Sequence, residues 1–239
     1  MKVWVYVEGP SDVVALNALW GTWKESLRLV GTNIECLPLD SKAKYFRKIG
    51  SRAAEKLMHN DRDIVVGLPD LYPTNVFDST EYKHKCLREL SEQQSRLVRH
   101  ALKTTFGRRE DDVEEHLNRF LGSALRHDLE MLLLAAKEAL RTVLGTRDQL
   151  GSWRHPVEDQ NLDKPPKRVV EDLFLHRSAK GRAYRDTSDA PRVLKLVSDS
   201  LGSILVNEHG SIECPEFKRV LDWIGHKTGV PAYTLSPNP

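Results

Sequence analysis

Lys2-Val3-Trp4-Val5-Tyr6-Val7-Glu8-Gly9-Pro10-Ser11-Asp12 is the stretch that decides the fold. Its first six residues read as a strand that stops at Glu8-Gly9-Pro10, and an amphipathic helical pattern from Val13 to Val30 follows at once. Such a strand–turn–helix step sets a carboxylate, Glu8, on the rim of a parallel sheet, where open α/β sheets bind their ligands. A local reading of the same residues makes Ser11 a helix N-cap, Asp12 a first-turn acid and Gly9-Pro10 a turn. That reading leaves Glu8 without a reason.

The pattern then repeats. Ile34 to Leu39 reads as a second strand, Asp40-Ser41 as a helix start, and Lys42 to His59 as a basic helix. Asp63 to Leu68 is a compact apolar run of the kind a buried parallel strand shows, and it ends in Pro69-Asp70-Leu71-Tyr72-Pro73. The order β-α-β-α-β calls for a parallel sheet with right-handed crossovers, which sets Asp70 on the same rim as Glu8. A helix over Lys83–Thr105, a strand over Phe120–Leu125 and an apolar helix over Met131–Leu144 are expected next. Beyond the loop-like, proline-bearing Gly145–Lys167, helices are expected over Val169–His176, Pro191–Leu201 and Pro215–Lys227, then a poorly anchored tail from Val230. The fold class is therefore α/β: a mostly parallel, Rossmann-like sheet flanked by helices, with a helical C-terminal part. Residues 1–150 form the α/β core and 151–239 a mainly helical extension, or the two run together as one domain.

Composition narrows the class. The 239 residues are 40% hydrophobic and 29% charged, ordinary for a globular protein. There is no apolar run near the ~20 residues a membrane helix needs and no secretory pattern at the start. Cys36, Cys86 and Cys214 form no CxxC pair, which argues against zinc and disulfide frameworks and for a reducing cytoplasm. Net charge is +2, but it is segregated. Lys42, Lys44, Arg47, Lys48, Arg52 and Lys56 face only Glu55, and Lys164, Lys167, Arg168, Arg177, Lys180, Arg182 and Arg185 face only Glu171 and Asp172. Such faces suit phosphates, although solvated helix faces look the same. Tyr72, Trp153 and Tyr184 are candidate base-stacking rings, with core packing as the plainer reading. No Walker A, dinucleotide fingerprint or nucleophile elbow is present.

The spacing Glu8-Gly9-Pro10-Ser11-Asp12 resembles the first motif of Toprim domains, the Mg²⁺-dependent fold of topoisomerases, DnaG-type primases and OLD-family nucleases. Four further stretches follow in order: Asp70-Leu71-Tyr72, His127-Asp128-Leu129-Glu130-Met131-Leu132-Leu133, Val157-Glu158-Asp159-Gln160-Asn161 with Pro166-Lys167-Arg168, and Cys214-Pro215-Glu216-Phe217. Together these resemble the RloG-like family, a domain of unknown function with a Toprim-like core found among restriction-linked and phage-defence genes. Two departures stand out. Tyr72 occupies the second position of an Asp-x-Asp motif, so Asp78, Asp128 or Glu130 would have to replace that ligand. Asp128 is also one methylene shorter than the family's glutamate.

The resemblance implies a Mg²⁺- (or Mn²⁺-) dependent nuclease acting on DNA or RNA, the effector of a bacterial anti-phage system with an AAA or ABC-type ATPase partner. Its catalytic residues would be Glu8, Asp70, Glu130 and Lys167, with Glu8, Asp70, Asp12 and Asp128 toward the metal. Lys164, Lys167, Arg168, Lys42 and Lys44 would contact nucleic acid. The alternative is a non-catalytic Toprim-like subunit that binds a partner ATPase or nucleic acid. Either form is expected without a membrane, and a homo-oligomer stays open.

Overall fold

In the computed structural model, which describes residues 1–72, 80–179, 181–207 and 209–234, four strands form one all-parallel sheet. They are β1 (Lys2–Val7), β2 (Asn33–Pro38), β3 (Ile64–Gly67) and β4 (Phe120–Gly122), in the order β2-β1-β3-β4. The chain is thus α/β with helices flanking a parallel sheet, as the apolar runs required. Asp78, Lys180 and residues 235–239 of the tail lie outside the described residues.

Register explains where the acids emerge. Tyr6 pairs with Gly67 and Gly67 with Gly122, so β1, β3 and β4 end level with one another. Glu8 leaves the sheet two residues past Tyr6, and Asp70 leaves it three past Gly67. The edge is extended by Leu68 N–H donating to the Tyr6 carbonyl (2.8 Å) and by a parallel bridge between Asp70 and Leu125. β1 and β3 are buried over Val3–Val7 and Ile64–Gly67, as befits interior strands.

The helices follow the expected order with some differences in bounds. The helix expected over Val13–Val30 is two, α1 (Pro10–Leu19) and α2 (Gly21–Leu29), parted where glycine is the poorer helix former. The ladder still runs through, because Trp20 N–H donates to Leu16 O (2.9 Å) and Lys24 N–H to Trp20 O (2.8 Å). α3 spans Lys42–His59 as read, with Ser41 as N-cap accepting from Lys44 N–H. α4 covers Leu87–Thr104, and α5 (Glu110–Leu117) has no counterpart among the expected elements. Its first turn holds Glu110, Asp111 and Asp112, which the helix macrodipole favours. Met131–Leu144 also divides, into α6 (Glu130–Ala135) and α7 (Lys137–Leu144), because Ala136 leaves the helical region at ψ 46°. Then come a 3-10 turn over Val157–Leu162, α8 (Pro166–His176), α9 (Asp186–Lys195), α10 (Gly202–Leu205) and α11 (Pro215–Thr228). Pro191 lies inside α9 rather than opening it. The start of α9 is held instead by the buried Asp189, which accepts the Arg185 N–H (2.9 Å) and a two-pronged Arg182 (both 2.6 Å).

The chain forms two compact units, Met1–Val13 with Leu27–Leu125, and Val14–Ser26 with the chain from Arg126 onward. In the first, α3 and α4 bury Tyr45, Phe46, Ile49, Leu57, Leu90, Val98 and Leu102 against Tyr6 and Val65 of the sheet. In the second, Trp20 stacks on Phe217 (6.3 Å between centroids, 9° between planes) and meets Trp23 edge-on (5.9 Å). These tryptophans are core residues. Among the described residues no helix is long and apolar enough to cross a membrane.

Two glycines permit the packing of the first unit. A Cβ on Gly50 of α3 would lie 2.6 Å from the Leu97 carbonyl oxygen of α4, so bare backbone sets the α3–α4 approach. A Cβ on Gly67 would lie 2.0 Å from Gln94 Oε1 and 2.4 Å from the Tyr45 hydroxyl, in the gap where Tyr45 donates to Gln94 (2.7 Å). Gln94 Nε2 in turn donates to the Ser123 carbonyl (2.8 Å), tying α4 to the end of β4. We predict that Gly67→Ala costs about 3 kcal/mol, from overpacking plus a broken buried hydrogen bond. Gly21→Ala, which meets nothing within 4 Å, should stay within ~0.5 kcal/mol. Urea midpoints of both variants check this, and equal midpoints would refute it.

Candidate functional site

Three side chains meet at the carboxyl edge of the sheet. Glu8, just past β1, accepts the Asp70 backbone N–H through Oε1 (3.2 Å), so its carboxylate sits at the end of β3. Lys42, first residue of α3, donates from Nζ to the Leu71 carbonyl (2.7 Å). Burial holds the Lys42 ammonium down at about 8, while the Glu8 and Asp70 carboxylates pull the other way. A cation and two anions therefore share one half-buried corner. His84 reaches the same Leu71 carbonyl (3.3 Å) and the Tyr82 carbonyl (2.9 Å), fixing the backbone that follows Asp70.

Asp12, the second acid of the opening motif, serves the helix. Its Oδ2 accepts the Gly9 N–H (2.9 Å), the return half of a capping box in which Gly9 has no side chain to give. Because α1 begins at Pro10, Ser11 lies within it rather than at its N-cap. Tyr72 is partly exposed at 36%. Among the described residues no three His, Cys, Asp or Glu side chains group into a metal cage. Mg²⁺ held against a phosphate needs only one or two carboxylates and keeps its waters. Glu8 and Asp70 offer that donor set.

Asp128, Glu130 and Lys167 form their own cluster in the second unit. Asp128 Oδ2 accepts the Lys167 backbone N–H (3.3 Å), capping α8 and fixing where Lys167 stands. Burial raises the Asp128 carboxyl and pushes the Glu130 carboxyl up to about 7, against the pull of Lys167. The Tyr184 hydroxyl is buried beside Glu130, and burial, then Glu130, raises its pKa. His127, buried and pushed down to about 4 by its surroundings, is a neutral imidazole at physiological pH.

The basic segments prove less available than their composition suggested. Lys164 pairs with Asp172, Arg168 with Glu171 (2.8 Å), and Arg182 with Asp189 (2.6 Å), while Lys167 lies 3.9 Å from Asp186. In the other cluster, Lys44 and Lys48 share Asp40 (3.8 and 2.7 Å) and Arg52 meets Glu55 (3.2 Å). Exposed pairs of this kind contribute only ~0–1 kcal/mol, but they lower the local charge offered to a phosphate.

Two later motifs meet in a structural clamp whose pairing no spacing in the chain announces. Both oxygens of the buried Glu158 accept from the Glu216 N–H (3.0 Å each), and Oε1 also accepts from the Phe217 N–H (2.9 Å). Glu158 therefore caps α11 from 58 positions away in the chain. The neighbouring Glu213, also buried, accepts from His155 Nδ1 (2.8 Å), Val157 N–H (3.2 Å) and Asn207 Nδ2 (2.6 Å). A lone glutamate before a proline-opened helix is the only sequence signal for Glu213.

No family model matches the chain, and no curated protein matches it. Two solved structures of the C-terminal region of the Xanthomonas campestris pv. campestris OLD protein, phased with mercury and with iodine, are similar to it. They are 16% and 17% identical, cover 84% of this chain and 96% and 95% of their own, and superpose with TM-scores of 0.36 and 0.31. Those scores are too low to carry fold or function across.

Burial pushes the Glu158 carboxyl up to about 7 from its ordinary 4.5, against the pull of the two N–H donors. A carboxyl raised on folding contributes stability that is full below its unfolded pKa and lost as pH rises through the folded one. Relative to Glu158→Gln, the wild type should therefore lose about 2–3 kcal/mol between pH 4.5 and about pH 8. Urea titrations of both proteins across that range test it. Parallel stability–pH curves would show that Glu158 does not titrate in the folded state there.

Proposed function

We propose that this chain is a Mg²⁺- or Mn²⁺-dependent, Toprim-like nuclease that hydrolyses phosphodiester bonds of DNA or RNA. The observation that carries the reading is the meeting of Glu8 and Asp70 at adjacent strand ends, joined through the Asp70 N–H, with Lys42 beside both. The ordered resemblance to the RloG-like family supports it, and that resemblance also suggests a role as a defence effector working with an ATPase.

Asp70 would be the main ligand of the ion, with Glu8 either a second ligand or the general base. Bound there, it would supply Lewis-acid polarisation of a phosphodiester and a more acidic water. The residues of the chain do the rest. The Asp70 amide orients Glu8, which accepts the proton of the attacking water as the new P–O bond forms and the bond to the leaving sugar oxygen breaks. Lys42 sets a positive charge where the phosphate gains negative charge, and a proton from its ammonium would go to the leaving sugar oxygen. His84 and Lys42 both reach the Leu71 carbonyl, which anchors the backbone that follows Asp70.

The second reading is a non-catalytic Toprim-like subunit. Lys42 favours it, because an ammonium beside both carboxylates already balances much of their charge. The two readings part on metal binding and cleavage. With single- and double-stranded DNA and RNA and either Mg²⁺ or Mn²⁺, the wild type should cut at least one substrate. Glu8→Gln and Asp70→Asn should each reduce the rate by about 100-fold or more. Wild-type cleavage that survives both changes would place the active site elsewhere. No cleavage and no Mn²⁺ uptake by calorimetry would favour the subunit reading.

If the segment around α8 guides nucleic acid, Lys167→Ala with Arg168→Ala should lower the slope of log K against log salt by ~0.7–0.9 for each phosphate that is no longer neutralised. Because Arg168 is paired with Glu171 and Lys167 lies near Asp186, we expect a change of no more than one such step. An unchanged slope with an intact fold would make the segment a solvated face.

A further inference from the structure

A cavity of about 560 Å³ opens within the second unit, between α7, the loop that follows it and the stretch around Asn207. Its floor is apolar, with Leu134, Leu150 and Val157. Trp153 presents a half-buried indole, and the Lys137 ammonium stands 5.1 Å from its ring centroid. Clefts of this size with an apolar floor and a few fixed polar groups are what small ligands occupy.

The charges define the ligand. Glu138 is paired with Arg141, and Glu213 is bound by His155 and Asn207, so both carboxylates of the lining are already matched by cations or donors. Lys137 differs: it meets a π face and the Gly151 carbonyl (3.2 Å), neither of which carries a full negative charge. The pocket thus holds one positive charge not matched by a carboxylate, next to an aromatic face. His155 uses Nδ1 on Glu213, which fixes the ring and leaves Nε2 for a ligand, with the side chain 62% exposed. The arrangement suits a ligand with a planar ring and a single anionic group.

We propose that this cavity binds one nucleotide unit, with the phosphate at Lys137 and His155 and the base on the Trp153 face that Lys137 leaves as it turns to the phosphate. A phosphodiester carries the single negative charge that Lys137 balances, and indole–base stacking is sequence-tolerant because every base has a π face. The ligand is either a free mononucleotide or one residue of a strand. The site is independent of Glu8 and Asp70 and does not rest on the nuclease reading.

The test is calorimetry with the full-length protein in the presence of EDTA, so that metal-bridged phosphate binding does not contribute. The probes are AMP, CMP, GMP and UMP, a short single-stranded oligonucleotide, adenosine and inorganic phosphate. Mononucleotide or oligonucleotide should bind more tightly than adenosine or phosphate alone. Trp153→Leu and Lys137→Met should each weaken it by about tenfold or more. Binding by the oligonucleotide but not by mononucleotides would assign the pocket to a strand, and the reverse order to a free nucleotide. Should Trp153→Leu unfold, Lys137→Met, which keeps most of the side-chain stem, decides the matter. No binding of any nucleotide at millimolar concentration, or binding unchanged by Lys137→Met, would overturn the proposal.

Discussion

The first unit depends on the bare backbone of Gly67. Tyr45 of α3 and Gln94 of α4 meet over that residue, and their hydrogen bond occupies the space a side chain would need. The pair is buried, so removing either partner would leave a polar group without water, which costs about 1–3 kcal/mol. Gln94 also reaches the Ser123 carbonyl, and Ser91 of the same helix donates to the Gly122 carbonyl (2.7 Å). One helix thereby fixes the ends of both β3 and β4. The ladder register makes the strand ends level, and this packing holds β4 in place beside β3.

At that edge electrostatics are set by competing effects. Two carboxylates in a half-buried corner repel and are poorly hydrated, which a nearby ammonium relieves. Lys42 supplies it, but burial lowers its own pKa to about 8, so the charge is held only weakly.

The second unit uses its buried carboxylates differently. Glu158 and Glu213 each bind backbone N–H groups or side-chain donors from distant segments, and Asp128 caps α8. Their task is to join loops to helix starts, where unsatisfied N–H groups would otherwise be buried. Glu130, buried beside Lys167 and Tyr184 and raised to about 7, joins no distant segment to a helix start.

The sequence by itself determined the parallel sheet, because a run such as Ile64-Val65-Val66-Gly67 buried on both faces has few other homes, and it located α3 to the residue through Ser41. It also placed Glu8 and Asp70 on one rim, since β-α-β order forces successive parallel strands to end on the same side. It could not locate the break at Ala136, which no glycine or proline marks, nor α5, whose signal lies in charge rather than in apolar period. Nor could it tell that Lys42 stands beside both rim acids, or that Lys164 and Arg168 pair with Asp172 and Glu171 of α8. Those outcomes depend on which side chains tertiary packing brings within a few ångströms, where desolvation and Coulomb energy change steeply. A linear pattern records residue types and spacings, and only the folded chain decides which charges meet.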